Sequence, residues 1–144
     1  MNIVIIEDED LAAESLEQLL LKLDRDITVK KRLESVKQGI SWFSKNSCDL
    51  IFSDIHLGDG ESFEIFETLK MDTPIIFTTA FDQYAIQSFQ YFAIDYLLKP
   101  YDKNKLAKAV DKYLNYSPAS SKGYGDIKNL INQLQKPKEN SVQA

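Results

Sequence analysis

Apolar and polar positions change rhythm repeatedly along this chain. Residues 2–6 open it with an almost unbroken apolar run, which predicts a buried strand. Leu11, Ser15, Leu16, Leu19, Leu20 and Leu23 then recur at helical spacing, with Glu14, Glu17, Gln18 and Lys22 between them. That pattern predicts an amphipathic first helix stopping near residues 24–26. Residues 27–33 alternate like a strand near a sheet edge, and 35–45 read as a second helix with Val36, Ile40 and Phe43 inward. Leu50 to Ser53 is too short for a helix and reads as a buried third strand ending on Asp54.

Beyond the loop Gly58-Asp59-Gly60, a third helix carries Phe63, Ile65, Phe66 and Leu69 and closes at 71–74. Residues 75–79 read as a fourth strand, 82–91 as a fourth helix and 92–95 as a turn. Residues 96–98 form a short fifth strand ended by Lys99-Pro100, because proline cannot donate to a ladder. A fifth helix over 102–113 places Leu106, Ala109, Val110 and Leu114 on one face. Five strands alternating with five helices predict an α/β fold: a doubly wound five-stranded parallel sheet with right-handed crossovers. After Tyr116, residues 117–123 have linker composition. Ile127, Leu130, Ile131 and Leu134 then mark a short amphipathic helix too small to fold alone. The expected organisation is one folded domain over 1–116, with a linker and helix over 117–144.

Composition narrows the function. The chain has 144 residues, 44% hydrophobic and 27% charged, enough for one domain with a real core. No apolar run approaches the roughly 20 residues that span a bilayer, and the start lacks a basic n-region and a cleavage site. A cytoplasmic protein without membrane partners is expected. A lone Cys48 excludes an intramolecular disulfide, and with His56 as the single histidine there is no Cys/His cluster for zinc. A net charge of -5 disfavours nonspecific nucleic-acid binding by this chain alone.

In a parallel sheet the carboxyl ends of all strands share one edge, which is the mouth of the binding crevice. The residues predicted there are Glu7 with Asp8, Asp54, Thr79 and Lys99. Three carboxylates in one crevice repel and drive a pKa upward unless a cation joins them. Lys99 supplies one charge, and Mg2+ suits the remaining all-oxygen site. Each feature alone has an ordinary explanation: acids favour a helix start, an Asp caps a helix, and Lys-Pro punctuates a strand. It is their joint order at successive strand ends that points to chemistry.

With Glu7-Asp8, Asp54, Thr79-Ala80 and Lys99-Pro100 in that order, residues 1 to about 116 resemble the receiver domain of two-component response regulators. Residues 76–85 and 93–100 are especially similar to receivers attached to LytTR-type (LytR/AlgR) DNA-binding domains. The resemblance implies a flavodoxin-like (βα)5 fold with strand order 2-1-3-4-5. It implies Asp54 as phosphoryl acceptor, with Glu7, Asp8, Asp54 and the His56 backbone carbonyl around Mg2+. Thr79 and Lys99 would contact the phosphoryl group, and Tyr96 aligns with the aromatic residue that turns inward when Thr79 moves.

The implied donor is the phosphohistidine of a sensor histidine kinase. The implied chemistry is confined to the chain's own phosphorylation and dephosphorylation, so this is not an enzyme in the usual sense. A DNA-binding output domain would be absent from this chain. The aromatic density of Tyr84, Phe89, Tyr91 and Phe92 further predicts a homodimer through the fourth helix, fifth strand and fifth helix. The loop Leu57-Gly58-Asp59-Gly60-Glu61-Ser62-Phe63 departs from the family pattern in its glycine positions. Two rival functions stand beside this reading. Asp8-Glu9-Asp10 imitates the Asp-x-Asp motif of haloacid dehalogenase-like phosphatases, but leaves Asp54 without a role. A docking module that is never phosphorylated would leave the acids and lysine without one. Flavin binding is disfavoured, because no Ser/Thr/Gly-rich loop follows the first strand.

Overall fold

The apolar runs become the middle of one sheet. The computed structural model describes residues 1–80 and 93–115. In it, β1 (Asn2–Ile6), β2 (Thr28–Leu33) and β3 (Leu50–Ser53) are followed by a small antiparallel hairpin of β4 (His56–Leu57) and β5 (Gly60–Glu61). With β6 (Ile75–Thr79) and β7 (Ala93–Leu98), the long strands form a five-stranded parallel sheet in the order β2-β1-β3-β6-β7. Without the hairpin strands in the count, this is the expected order 2-1-3-4-5. The helices described are α1 (Asp10–Lys22), α2 (Val36–Phe43), α3 (Phe63–Leu69) and α4 (Lys103–Asn115). The helix expected at 82–91, its aromatic residues, and the linker and helix expected at 117–144 lie outside the described residues.

Successive side chains of a strand point to opposite faces, so a sheet covered on both faces needs continuous apolar runs. Ile3 and Ile5 of β1, Phe52 of β3 and Ile76 of β6 pack with Leu16 and Leu20 of α1 and with Leu106 and Val110 of α4. Val4, Ile6, Ile51 and Phe77 face the other way, onto Val36 of α2 and Phe63, Ile65 and Phe66 of α3. The outer strand β2 instead exposes Lys30, Lys31 and Arg32, charges that discourage pairing with a further strand. No described helix is long and apolar enough to cross a membrane.

Three local expectations are corrected. On α1 the buried stripe runs through Ala13, Leu16 and Leu20, while Leu11 is 81% exposed and Ser15 is also exposed. With about 3.6 residues per turn, Leu11 and Ser15 lie on the side of the helix away from the stripe of Ala13, Leu16 and Leu20 that packs on the sheet. Leu114, in the last turn of α4, is likewise exposed. The last strand begins at Ala93, not at residue 96. Ile75 pairs with Ala93 but Ile76 pairs with Asp95, so Ile94 is an extra residue in the ladder. Such a bulge breaks the period-two pattern, and the sequence pattern alone mistakes it for a turn.

Phe77 is fully buried and meets Phe63 and Phe66 edge to face, at centroid distances of 5.4 and 6.0 Å. Replacing it with alanine removes this cluster's centre. Phe77→Ala is expected to lower the unfolding free energy by about 3–5 kcal/mol, measured by urea denaturation. A loss below about 1 kcal/mol would contradict the packing described.

Candidate functional site

Four strands deliver a residue at or just past their ends to the same edge. Glu7 follows β1, Asp54 follows β3, Thr79 ends β6, and Lys99 follows β7. Two ladder hydrogen bonds extend past the strands and fix these residues as neighbours. The Asp54 N–H donates to the Ile6 carbonyl at 2.9 Å, and the Lys99 N–H donates to the Thr79 carbonyl at 2.7 Å.

The side chains then close on one another. Lys99 Nζ donates to Glu7 Oε1 at 2.5 Å and to Asp54 Oδ2 at 3.1 Å. The second oxygens are also engaged: Glu7 Oε2 accepts from the Glu9 N–H at 3.2 Å, and Asp54 Oδ1 from the Ile55 N–H at 2.7 Å. Glu7 is only 5% exposed. Asp8 is exposed, yet Glu7, Asp8 and Asp54 each offer an oxygen within 4.8 Å of the others. Beside the cluster, a cleft of about 260 Å³ opens between α1 and the chain after β7, lined by residues including Leu16, Leu19, Lys99, Pro100 and Tyr101.

Burial pushes the Glu7 carboxyl pKa up, and the Asp54 charge adds to this, while the Lys99 hydrogen bond and charge oppose it. Burial by itself would lower the Lys99 ammonium. The Glu7 hydrogen bond and the charges of Asp54 and Glu7 outweigh it and leave the Lys99 pKa raised. One ammonium therefore faces three carboxylates at a partly buried edge. Excess negative charge carried only on oxygen is the donor set of a hard divalent cation such as Mg2+, so the residues present fit that ion.

The structure thus brings Glu7, Asp8, Asp54 and Lys99 into one cluster and sets Thr79, fully buried, beside Lys99 through the backbone. Tyr96 lies three residues earlier on β7, partly buried and paired with Phe77 of β6. The His56 side chain is exposed, at the start of the hairpin two residues past Asp54.

Sequence reasoning missed Asp59. Its Oδ1 accepts from the Val36 N–H at 2.8 Å and its Oδ2 from the Lys37 N–H at 3.0 Å, so the loop after Asp54 is tied to the start of α2. The only sequence signal is an acid between two glycines, which predicts a turn and says nothing of α2.

Residues 3–111 match the response regulator receiver domain, and the chain belongs to that family. Receiver domains are signalling modules of two-component regulators, and they generally bind Mg2+ at an acidic pocket. Among curated relatives, the chain is 36% identical over 116 residues to the sensory transduction protein LytT of Bacillus anthracis, covering 78% of this chain and 47% of that protein. It is also 36% identical over 115 residues to the transcriptional regulatory protein LytR of Staphylococcus aureus, covering 78% and 46%. The chain therefore spans about half the length of these relatives. Among solved structures, the response regulatory domain of protein mrkE from Klebsiella pneumoniae is similar with a TM-score of 0.72 and 25% identity, covering 79% of this chain and 95% of that one. Membership of this family displaces the haloacid dehalogenase alternative.

The amide hydrogen bonds from Val36 and then Lys37 hold the Asp59 carboxyl below its ordinary value. A lowered folded-state pKa gives stability that is fully present above the unfolded value of about 3.9 and is lost as pH falls through the folded value. Asp59→Ala is therefore expected to reduce the urea midpoint at pH 7, with a smaller gap to wild type at a pH below the unfolded value. A gap of equal size at both pH values would contradict the bonding described.

Proposed function

We propose that this chain is the phosphoacceptor receiver of a response regulator, with Asp54 as the group that takes the phosphoryl. The observation that carries the reading is the Lys99 ammonium bridging Glu7 and Asp54, with Asp8 completing a cluster of carboxylate oxygens within 4.8 Å. A carboxylate nucleophile needs no separate base. One Asp54 oxygen attacks the phosphorus of a phosphohistidine in line. The O–P bond forms as the P–N bond breaks, and the leaving imidazole nitrogen keeps the electron pair and takes a proton from solvent.

Glu7, Asp8, Asp54 and the His56 backbone carbonyl are the residues that would hold Mg2+, Glu7 through a metal-bound water. The bound ion supplies charge neutralisation for the transferring phosphoryl oxygens. Lys99 already sits at Asp54 Oδ2 and opposes the same charge. Its raised pKa keeps it cationic. The acyl phosphate carries about -1.5 to -2 charge, by analogy with other phosphorylated side chains, in place of the single charge of the carboxylate and further out from Asp54. That charge draws in the Thr79 hydroxyl and leaves Lys99 to pair with a phosphoryl oxygen, with Tyr96 following as the aromatic switch residue. The segment between β6 and the end of β7 is the two-state element.

The receiver unit is residues 1–116, with 117–144 a linker and short helix leading to an output in sequence beyond this chain. Similarity to regulators named LytT and LytR supports an output that controls transcription through a LytTR-type DNA-binding domain. The donor is the phosphohistidine of a sensor histidine kinase. The switched surface is the 82–91 segment with β7 and α4, through which the phosphorylated chain pairs with a second copy. In support, β7 is the outer strand of the sheet and its Leu98 is 44% exposed.

Intact mass after incubation with acetyl phosphate and Mg2+ tests the acceptor. The wild type is expected to gain one phosphoryl group and Asp54→Ala none. No gain in the wild type, or an equal gain in both, would sink the assignment. Light scattering with beryllofluoride and Mg2+ tests the pairing, with a doubling of mass expected and an unchanged monomer mass counting against it.

A further inference from the structure

We propose that Asp59 is a positioning residue for the cation site: by fastening the hairpin after Asp54 to the amino end of α2, it holds the His56 carbonyl in place. The inference rests on the phosphoacceptor reading, which makes that carbonyl a ligand.

The hairpin is anchored at both feet and loose at its tip. Ile55 is fully buried and Leu57 is 8% exposed, both in the cluster that includes Val36 of α2. The Ser62 N–H returns to the Ile55 carbonyl at 2.8 Å, and Leu57 pairs with Gly60. The turn between them is Gly58-Asp59. A side chain at Gly58 would meet nothing within 4 Å, so no packing steadies the tip at that residue. Gly60 has φ +147°, a conformation that glycine adopts freely and that turns the chain back. The tip is therefore held by the Asp59 carboxylate, which takes the Val36 and Lys37 amides at 2.8 and 3.0 Å.

From the side of α2 the same bonds complete a cap. The first amides of a helix have no partner within it. Ser35 Oγ accepts the Gln38 amide at 3.0 Å, and Asp59 takes the two before it. A negative group also suits the positive end of the helix dipole. Asp59 is itself exposed, so it adds nothing to the core. Its effect is to fix where the turn sits, and His56 is three residues away on the same hairpin. Groups that orient a metal ligand typically change metal affinity by about tenfold or more when removed.

The test is a Mg2+ titration followed by backbone amide NMR shifts at residues 54–56, on wild type, Asp59→Ala and Asp59→Asn, with amide hydrogen exchange at Val36 and Lys37 measured on the same samples. Asp59→Ala is expected to expose both amides to exchange and to weaken Mg2+ binding about tenfold. Asp59→Asn keeps one acceptor oxygen and is expected to shift both readouts the same way by less, which preserves the test if the alanine variant does not fold. The affinity ratio between wild type and variant is expected to persist in about 1 M NaCl, where charges are screened within about 3 Å. A ratio that collapses to one in salt would mean that Asp59 acts by charge alone, and would overturn the proposal. Wild-type affinity in a variant whose Val36 and Lys37 amides exchange freely would overturn it while leaving the phosphoacceptor reading intact. Amides that stay protected in Asp59→Ala would overturn it as well. A wild type that binds no Mg2+ would overturn both.

Discussion

All five long strands run the same way, and the rest of the molecule follows from that constraint. A parallel strand needs a crossover to return, so helices cover both faces of the sheet and its middle strands are buried and mostly apolar. Every carboxyl end finishes on one edge. Charged groups are absent from β1, β3 and β6, where each residue from Ile3 onward is buried by its neighbours and the polar ones are the hydroxyls of Ser53, Thr78 and Thr79 at the strand ends. The carboxylates appear one step beyond, as Glu7 and Asp54.

At that edge the charges are settled locally. Glu7 is buried, and the Lys99 ammonium pairs with it and with Asp54. A buried acid without a partner would protonate, and an ammonium beside two acids holds its own proton more tightly. The carboxylates still outnumber the cation. The sheet edge is thus left with an affinity for positive charge carried by oxygen donors, which is what a receiver of the response regulator family uses to take up Mg2+.

Legibility varied along the chain for physical reasons. The strand at 75–79 was read to the residue, because the apolar run Ile75 to Phe77 continues into two β-branched threonines that also favour a strand. The last strand was shortened by three residues, because the bulge at Ile94 shifts the register with β6. The stripe on α1 was misplaced at Leu11 and Ser15, since their i, i+4 step follows a face turned away from the one through Ala13, Leu16 and Leu20 that packs on the sheet. The β4–β5 hairpin was missed entirely. Its four paired residues are too few for any period to show, and its stability comes from burial of Ile55 and Leu57 and from the bond to α2.

By itself the sequence determined the alternation of strands and helices, and with it the sheet, the edge and the identity of the residues delivered there. Those follow from periodicity and from the position of each residue at a strand end. Only the tertiary structure decided how those residues bond: that one Lys99 spans Glu7 and Asp54, that Glu7 is the buried acid and Asp8 the exposed one, and that Asp59 reaches the amides of Val36 and Lys37. These pairings join residues from 22 to 92 positions apart. Spacing along a chain carries no record of such contacts, because they are made by strand order and helix packing rather than by local preference.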